Sequence, residues 1–518
     1  MGGREAAGGL RRRGLLGAAL AGAAALAGLR PRRAGAVEDG APGTGPLRTG
    51  ERPNVLLVVL HGMRADAVGA YDGDGARTPN LDRLADRALR VARAIPEGLP
   101  AVPVRRALLT GMRTYPFRDW RAVEGIPAIP GWNPIWPHQP LLPEVLADGG
   151  VHVRIVSDDP LLGGDRLDPF LERTQPVPGL EGCDAGDDPC GACLPCLRAA
   201  EDEVPGYLVP LADGLRARPD PTARVLARAA ERLEALRDRQ PFFLMADVFD
   251  PADVARLPVA FVDGPADEGR DVYRPGRSAL VRRVPVAVDD ATAREVRRRY
   301  LAQQTENDAA LGGLLDRLDE LGLRERTLVW VLSDGAVALG EHGVWGHPQG
   351  VGMRAPYEVP YLIADPSGRR AGEHSEYLAT THDVAPTIIG RLGLRRPGRM
   401  NGEDLEALLD EEELPARTTF TTMVGTTIVA GHRDQDDDDD EFVLVADLDD
   451  QSRRVFDEDG DDETSGEGPR LDELWRAAIV AGGGTLPEFG EDAALRPPYP
   501  DDDHEDERDE LKDDADAD

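Results

Sequence analysis

Thr327-Leu328-Val329-Trp330-Val331-Leu332, followed by Ser333-Asp334-Gly335, is a short β-rich run that stops abruptly at an acid and a glycine. A run so short and continuously apolar reads as a strand buried on both faces, the habit of a parallel sheet. Two other runs have the same shape: Val55 to Leu60, ending at His61-Gly62, and Phe242 to Phe249, ending at Asp250-Pro251. Helical segments separate them. Thr78-Pro79-Asn80 opens one, with Thr78 as N-cap and Pro79 at the first helical position; Leu81, Leu84, Ala85 and Ala88 form its apolar face. A longer helix is expected from about Ala291 to Leu321, burying Val296, Tyr300, Leu311, Leu314, Leu315 and Leu318. Strands alternating with helices imply a sheet covered on both faces. Ligands in such folds bind beyond the carboxyl ends of the strands, so topology gathers His61, Asp250 and Asp334 around one crevice. Arg64, just past the first strand, is placed in the same pocket.

A fourth element borders the crevice. Pro100-Ala101-Val102-Pro103-Val104 leads into Arg105-Arg106-Ala107-Leu108-Leu109-Thr110-Gly111, whose second half reads as a short helix closed by Gly111. Its N-terminus, with Arg105 beside it, suits an oxyanion or sulfate. The alternative is a buried structural Arg105 paired with Asp334 or Asp250.

Composition bounds the rest. The 518 residues suffice for one large α/β domain and a smaller appendage. The formal net charge is -35, with 95 acidic against 60 basic residues. Such a surface repels phosphates and anionic lipid, which argues against nucleic acid or membrane surfaces as partners. Lys512 is the sole lysine, so the exterior is either salt-adapted or shaped by a bias toward arginine codons.

The N-terminus reads as an address. Arg11-Arg12-Arg13-Gly14-Leu15-Leu16 opens a small and apolar stretch to Leu29, too short for a comfortable membrane span, and Ala34-Gly35-Ala36 supplies a cleavage pattern. Residues 1–36 are expected to be a twin-arginine export signal, with an uncleaved anchor as the alternative, and 37–51 a linker. No other segment is long and apolar enough to span. Cys183, Cys190, Cys193 and Cys196 lie in a C-x6-C-x2-C-x2-C cluster inside an insertion at 179–205. Two disulfides, a tetrahedral zinc site and free thiols all remain open for it.

The main domain is expected over 52–410. β-rich runs at Thr418 to Val429 and Phe442 to Leu448 suggest a small antiparallel sheet within a subdomain at 411–480, with a short helix at 471–479. Asp436 to Asp440 reads as a solvated hairpin tip, and the acidic stretch 481–518 as a disordered tail.

Several segments, in one order, resemble the sulfatase family of the alkaline phosphatase superfamily. They are Arg52-Pro53-Asn54-Val55-Leu56-Leu57, Arg77-Thr78-Pro79-Asn80-Leu81-Asp82-Arg83-Leu84-Ala85 and the segment Arg105 to Gly111. Ser333-Asp334, then Leu339-Gly340-Glu341-His342-Gly343-Val344-Trp345-Gly346, then Val359 to Ile363 and His382-Asp383-Val384-Ala385-Pro386-Thr387 follow. The resemblance implies an alkaline-phosphatase-like sandwich: a large, mostly parallel sheet flanked by helices, plus the small C-terminal sheet. It also implies a sulfuric ester hydrolase, here exported by the N-terminal signal, a calcium cofactor, and a small anionic ester or sulfated glycan as ligand.

The chain departs from the family where the chemistry sits. The family's two calcium-binding aspartates after the first strand fall on His61 and Gly62. Its Cys-x-Pro-Ser-Arg motif, whose cysteine becomes the formylglycine nucleophile, falls on Ala101-Val102-Pro103-Val104-Arg105. Alanine has no nucleophilic atom. Of the next ligand pair Asp334 remains, beside Gly335; the middle histidine falls on Ala252 and a lysine on His347. Calcium wants six to eight oxygens, so these losses predict a site without calcium. The chain then reads as an impaired or pseudo-sulfatase. The alternatives are a remodelled transition-metal site built from His61, His342, His347 and Asp334 that activates water directly, or a non-enzymatic interaction protein of the cell envelope. His342 also reads as a structural loop histidine, and His61 and His347 as neutral replacements.

Overall fold

The computed structural model describes residues 47, 50–73, 75–121, 130–159, 162–174, 206–210, 221–249, 259–263, 290–346, 348–432, 441–448 and 451–486. All lie in one compact unit spanning Pro42–Asp518. The expected signal segment, the cysteine cluster, Asp250, Ala252, His347, the five-aspartate run and the acidic residues beyond 486 lie outside the described residues.

The strands are, in chain order, β1 (Asn54–Leu60), β2 (Leu89–Ala94), β3 (His152–Ser157), β4 (Leu171–Arg173), β5 (Gly206–Pro210), β6 (Phe242–Asp247), β7 (Val259–Asp263), β8 (Thr327–Ser333), β9 (Ala338–Leu339), β10 (Trp345–Gly346), β11 (Tyr361–Ala364), β12 (His374–Ala379), β13 (Thr419–Val424), β14 (Thr427–His432), β15 (Phe442–Asp447) and β16 (Arg453–Phe456). The helices are α1 (Pro79–Ala85), α2 (Val102–Thr110), α3 (Leu142–Asp148), α4 (Pro221–Leu236), α5 (Asp290–Glu320), α6 (Val384–Arg391), α7 (Glu406–Leu409) and α8 (Gly468–Ala481).

Eight strands form the main sheet in the order β12-β2-β11-β8-β1-β6-β3-β4. Neighbours pair in parallel except on the two sides of β11, so only that strand runs backward. The continuous apolar runs explain the centre. Every residue of β1, β6 and β8 is buried, as a strand covered on both faces requires. One face packs Val55, Leu57 and Val59 with Leu108, Leu109 and Ile388; the other packs Leu56, Val58 and Leu60 with Leu311, Leu314, Leu315 and Leu318. Each such side chain contributes about 1.5–3 kcal/mol by leaving water. Leu311, Leu314, Leu315 and Leu318 of the predicted α5 stripe join that second core, Tyr300 is buried in a separate cluster with Ala67, Val337, Leu339 and Trp345, and Val296 lies outside the described side chains.

The four-stranded antiparallel sheet β13-β14-β15-β16 lies over the start of α2. Leu99 N–H donates to Met423 O at 2.7 Å and Gly98 N–H to Thr422 Oγ1 at 3.1 Å. Leu99 and Val104 share a core with Phe420, Val424 and Phe456. α2 is therefore buried along its whole length. Gly111 closes it in the left-handed region at φ 61°, where a side chain would be strained.

Two local expectations change. The third run stops being strand at Asp247, two residues before Phe249, whose backbone N–H donates to Asp158 Oδ1 at 2.7 Å instead of to a neighbouring strand. Thr78 precedes α1 but its hydroxyl does not cap the helix backbone. It instead donates to Asp82 Oδ1 at 3.1 Å and accepts from Gly69 N–H at 2.9 Å, tying the helix to the turn before it.

Candidate functional site

Parallel alignment brings the carboxyl ends of four strands together. Leu60 stands level with Ser333, Val59 with Asp247, and Asp247 with Ser157. The next residues are His61, Asp334 and the pair Asp158-Asp159. α2 starts above these ends and delivers Arg105 among them. Arg105, Asp159, Asp247 and Asp334 are all buried.

Arg105 is enclosed by acceptors. Its Nε donates to Asp247 Oδ1 and Oδ2 at 3.0 and 3.2 Å and lies 3.4 Å from Asp159 Oδ2. Nη1 donates to Asp334 Oδ2 at 2.7 Å and Ala101 O at 3.2 Å, and Nη2 to Val248 O at 2.7 Å. The Phe249 ring lies 5.0 Å from the guanidinium carbon and stacks on His61 with centroids 6.2 Å apart. Burial works against the Arg105 charge, but Asp247, Asp334 and Asp159 outweigh it and raise its pKa above the ordinary value. Of the two readings of Arg105, the buried ion pair is the one formed, with Asp334 as expected and with Asp247 and Asp159 beside it; Asp250 lies outside the described residues.

Asp334 is held as tightly. Oδ2 accepts from Arg105 and from His61 Nδ1 at 2.7 Å, and Oδ1 from Gly62 N–H at 3.3 Å. Burial pushes this carboxyl up, yet His61 and Arg105 together hold it below the ordinary carboxylate value.

Ala101 precedes α2 at φ 49°, ψ −72°, a conformation that residues bearing a Cβ rarely adopt. It packs with Val102, Trp132 and Phe249. Ala101 lines, with His61, Gly62, Leu99, Asp334 and Gly335, a cavity of about 10 Å³, room for no more than one water.

The sulfatase family model matches residues 53–394, about two thirds of the chain. The chain belongs to the sulfatase family. It is 26% identical over 414 residues to the multifunctional alkaline phosphatase superfamily protein PehA of Trinickia caryophylli, across 70% of this chain and 77% of that protein. It is equally identical over 402 residues to iduronate 2-sulfatase of Homo sapiens, across 67% of this chain and 70% of that enzyme. Among solved structures, the phosphonate monoester hydrolase of Agrobacterium radiobacter shares the fold with a TM-score of 0.58 at 19% identity, across 87% of this chain and all of that one. A protein solved with D-glucosamine-2-N,6-O-disulfate does so with a TM-score of 0.57 at 16% identity, across 84% of this chain and 98% of that one.

The sulfatase family implies a metal, and the described residues do not fit one. Gly62 and Gly335 offer no side-chain donor, Ala101 none at the nucleophile position, and the oxygens of Asp334 face three protein donors. Among the described residues, no group of three or more His, Cys, Asp or Glu side chains is placed to hold an ion.

The other expected site residues are engaged elsewhere. His342 Nδ1 accepts from Gly352 N–H at 3.2 Å, so its Nε2 carries the hydrogen and donates to Gly460 O at 2.9 Å. Its ring packs on Phe456 at 5.0 Å, which fastens the loop to the C-terminal sheet. Arg64 pairs with Asp66 and with Glu341 at 2.6 Å and donates to Val337 O at 3.1 Å. It braces the loop after β8, and neither residue lines the small cavity.

Three contributors escaped the sequence reading: Asp159, Asp247 and Phe249. Asp247 carried a signal, since an aspartate inside Phe242-Phe243-Leu244-Met245-Ala246 and Val248-Phe249 must find a partner when buried. Ser157 Oγ, which donates to it at 2.7 Å, comes from β3 and was visible only in the fold.

Proposed function

We propose that this protein is a pseudo-sulfatase: an exported member of the family that keeps the scaffold and has lost ester cleavage. One observation carries the reading. Asp334, the surviving ligand of the metal motifs, is taken by Arg105, His61 and the Gly62 backbone. With Ala101 at the nucleophile position, covalent transfer of a sulfuryl group has no acceptor atom. Three buried carboxylates against the Arg105 guanidinium and the His61 ring also disfavour an anion here. The protein therefore acts by binding. The printed names of relatives, iduronate 2-sulfatase and ulvan-active sulfatase, make an anionic glycan the ligand class to test. Such a ligand would be held by surfaces outside the ion cluster. The start of the chain, with Arg11-Arg12-Arg13 and Ala34-Gly35-Ala36, supports twin-arginine export. Among the described residues no helix is long and apolar enough to cross a membrane.

A second reading rests on His61. Its Nδ1 is oriented by Asp334 at 2.7 Å and its ring lines the cavity beside Ala101, an arrangement that suits a general base acting directly on water. A panel of sulfate, phosphate and phosphonate esters, assayed with and without divalent metals, separates the two. The pseudo-sulfatase reading predicts no turnover above an Asp334→Asn background. Turnover lost on His61→Ala would establish the second reading instead.

A further inference from the structure

We infer that the Arg105 guanidinium is the resident cation of the vacated metal crevice, held in a cage shaped for a planar fork and not for a spherical ion. The family implies a metal at these strand ends; here the arginine of its nucleophile motif meets the surviving carboxylate directly. The inference rests on the placement of Arg105 and not on the loss of turnover proposed above.

The geometry distinguishes a guanidinium cage from a metal cage. A calcium ion draws its oxygens to a common point at about 2.3–2.6 Å. Here the acceptors are spread over all three nitrogens: Asp247 and Asp159 share Nε, Asp334 meets Nη1, and the Val248 carbonyl meets Nη2. A flat group with donors along its edges satisfies that layout, and a single-point ion does not. The walls are flat as well, since Phe249 lies against the guanidinium at 5.0 Å. Two of the three carboxylates are also fixed by further donors. Ser157 Oγ holds Asp247 at 2.7 Å, and His61 with Gly62 N–H holds Asp334. The cage joins the ends of β1, β3, β6 and β8 to the start of α2, so the arginine closes the crevice from inside.

Chemical rescue of the full chain tests this. Arg105→Gly is expected to melt several degrees below the wild type, and millimolar methylguanidinium to recover at least half of that loss. Methylammonium and calcium at matched ionic strength should recover little. Calcium restoring the variant as well as methylguanidinium does would overturn the inference, as would recovery by none of the three. Should Arg105→Gly fail to fold, Arg105→Lys decides: it keeps the charge without the fork and should melt well below the wild type, whereas wild-type melting would overturn the inference. Ester turnover by the wild type would defeat the functional proposal and leave this result untouched, because only the melting series reads the cage.

Discussion

Arg105 and His61 meet the same oxygen of Asp334, each at 2.7 Å. A carboxylate so placed has its negative charge matched by an internal cation and its other oxygen engaged by Gly62 N–H. Binding a metal at Asp334 requires displacing these partners in a buried site, which sets a barrier that an open ligand set lacks.

The first prediction concerns this triad. Asp334→Ala leaves Arg105 without one of its buried acids and should cost about 3–5 kcal/mol by equilibrium denaturation. The double variant Arg105→Met/Asp334→Leu should lose less than the sum of the single variants, since each single change strands a partner. Additive losses would show that the two residues act independently.

Ala101 gives the second. Its φ of 49° favours a residue without a Cβ, so Ala101→Gly should raise stability by up to about 1 kcal/mol. Ala101→Cys, produced with a formylglycine-generating system, should stay inactive on aryl sulfates despite regaining the nucleophile position. Recovery of turnover from that single change would place the defect at Ala101 alone.

The third concerns pH. His382 is buried, and burial pushes its imidazole below the ordinary value of 6.5 despite the nearby Asp383 and Glu97; Arg113 and Arg417 act in the same direction as burial. As pH falls through 6.5 the unfolded chain takes up the proton first, so stability present above 6.5 is lost toward the lower folded value. A second decline belongs to Asp334 and Asp383, both held below the ordinary 3.8; their contribution persists above that value and is lost as pH falls through their folded values. Melting temperature against pH should show both declines, and His382→Gln should flatten the upper one.

Gly402 supplies the fourth. A Cβ there would stand 2.0 Å from the His382 carbonyl oxygen, a backbone atom that cannot rotate away. Gly402→Ala should cost about 1–3 kcal/mol, measured by denaturant titration. Gly398→Ala, which meets open space, should change little by comparison.

The central sheet was legible because buried parallel strands announce themselves as continuous apolar runs, and β1, β6 and β8 did so to within two residues. Their stopping points predicted that His61 and Asp334 would meet. The rest of the ion cluster was not legible. Asp159 follows a strand, β3, whose Arg154 and His152 interrupt the apolar pattern, and nothing local ties it to Arg105, more than fifty residues upstream. The motif resemblance left His342 either near the chemistry or as a structural loop histidine; the left-handed turn at φ 50° points its ring to Gly460 and Phe456, a tertiary choice no motif encodes. Arg105 remained ambiguous because a helix N-terminus suits an anion unless acids already surround it.

Calorimetric titration of the folded wild type with calcium, beside Asp334→Asn, tests the account most directly. The surface and tail aspartates give weak heats in both proteins, and the account predicts superimposable curves with no stoichiometric site. A one-to-one calcium site present in the wild type and lost in Asp334→Asn would contradict it.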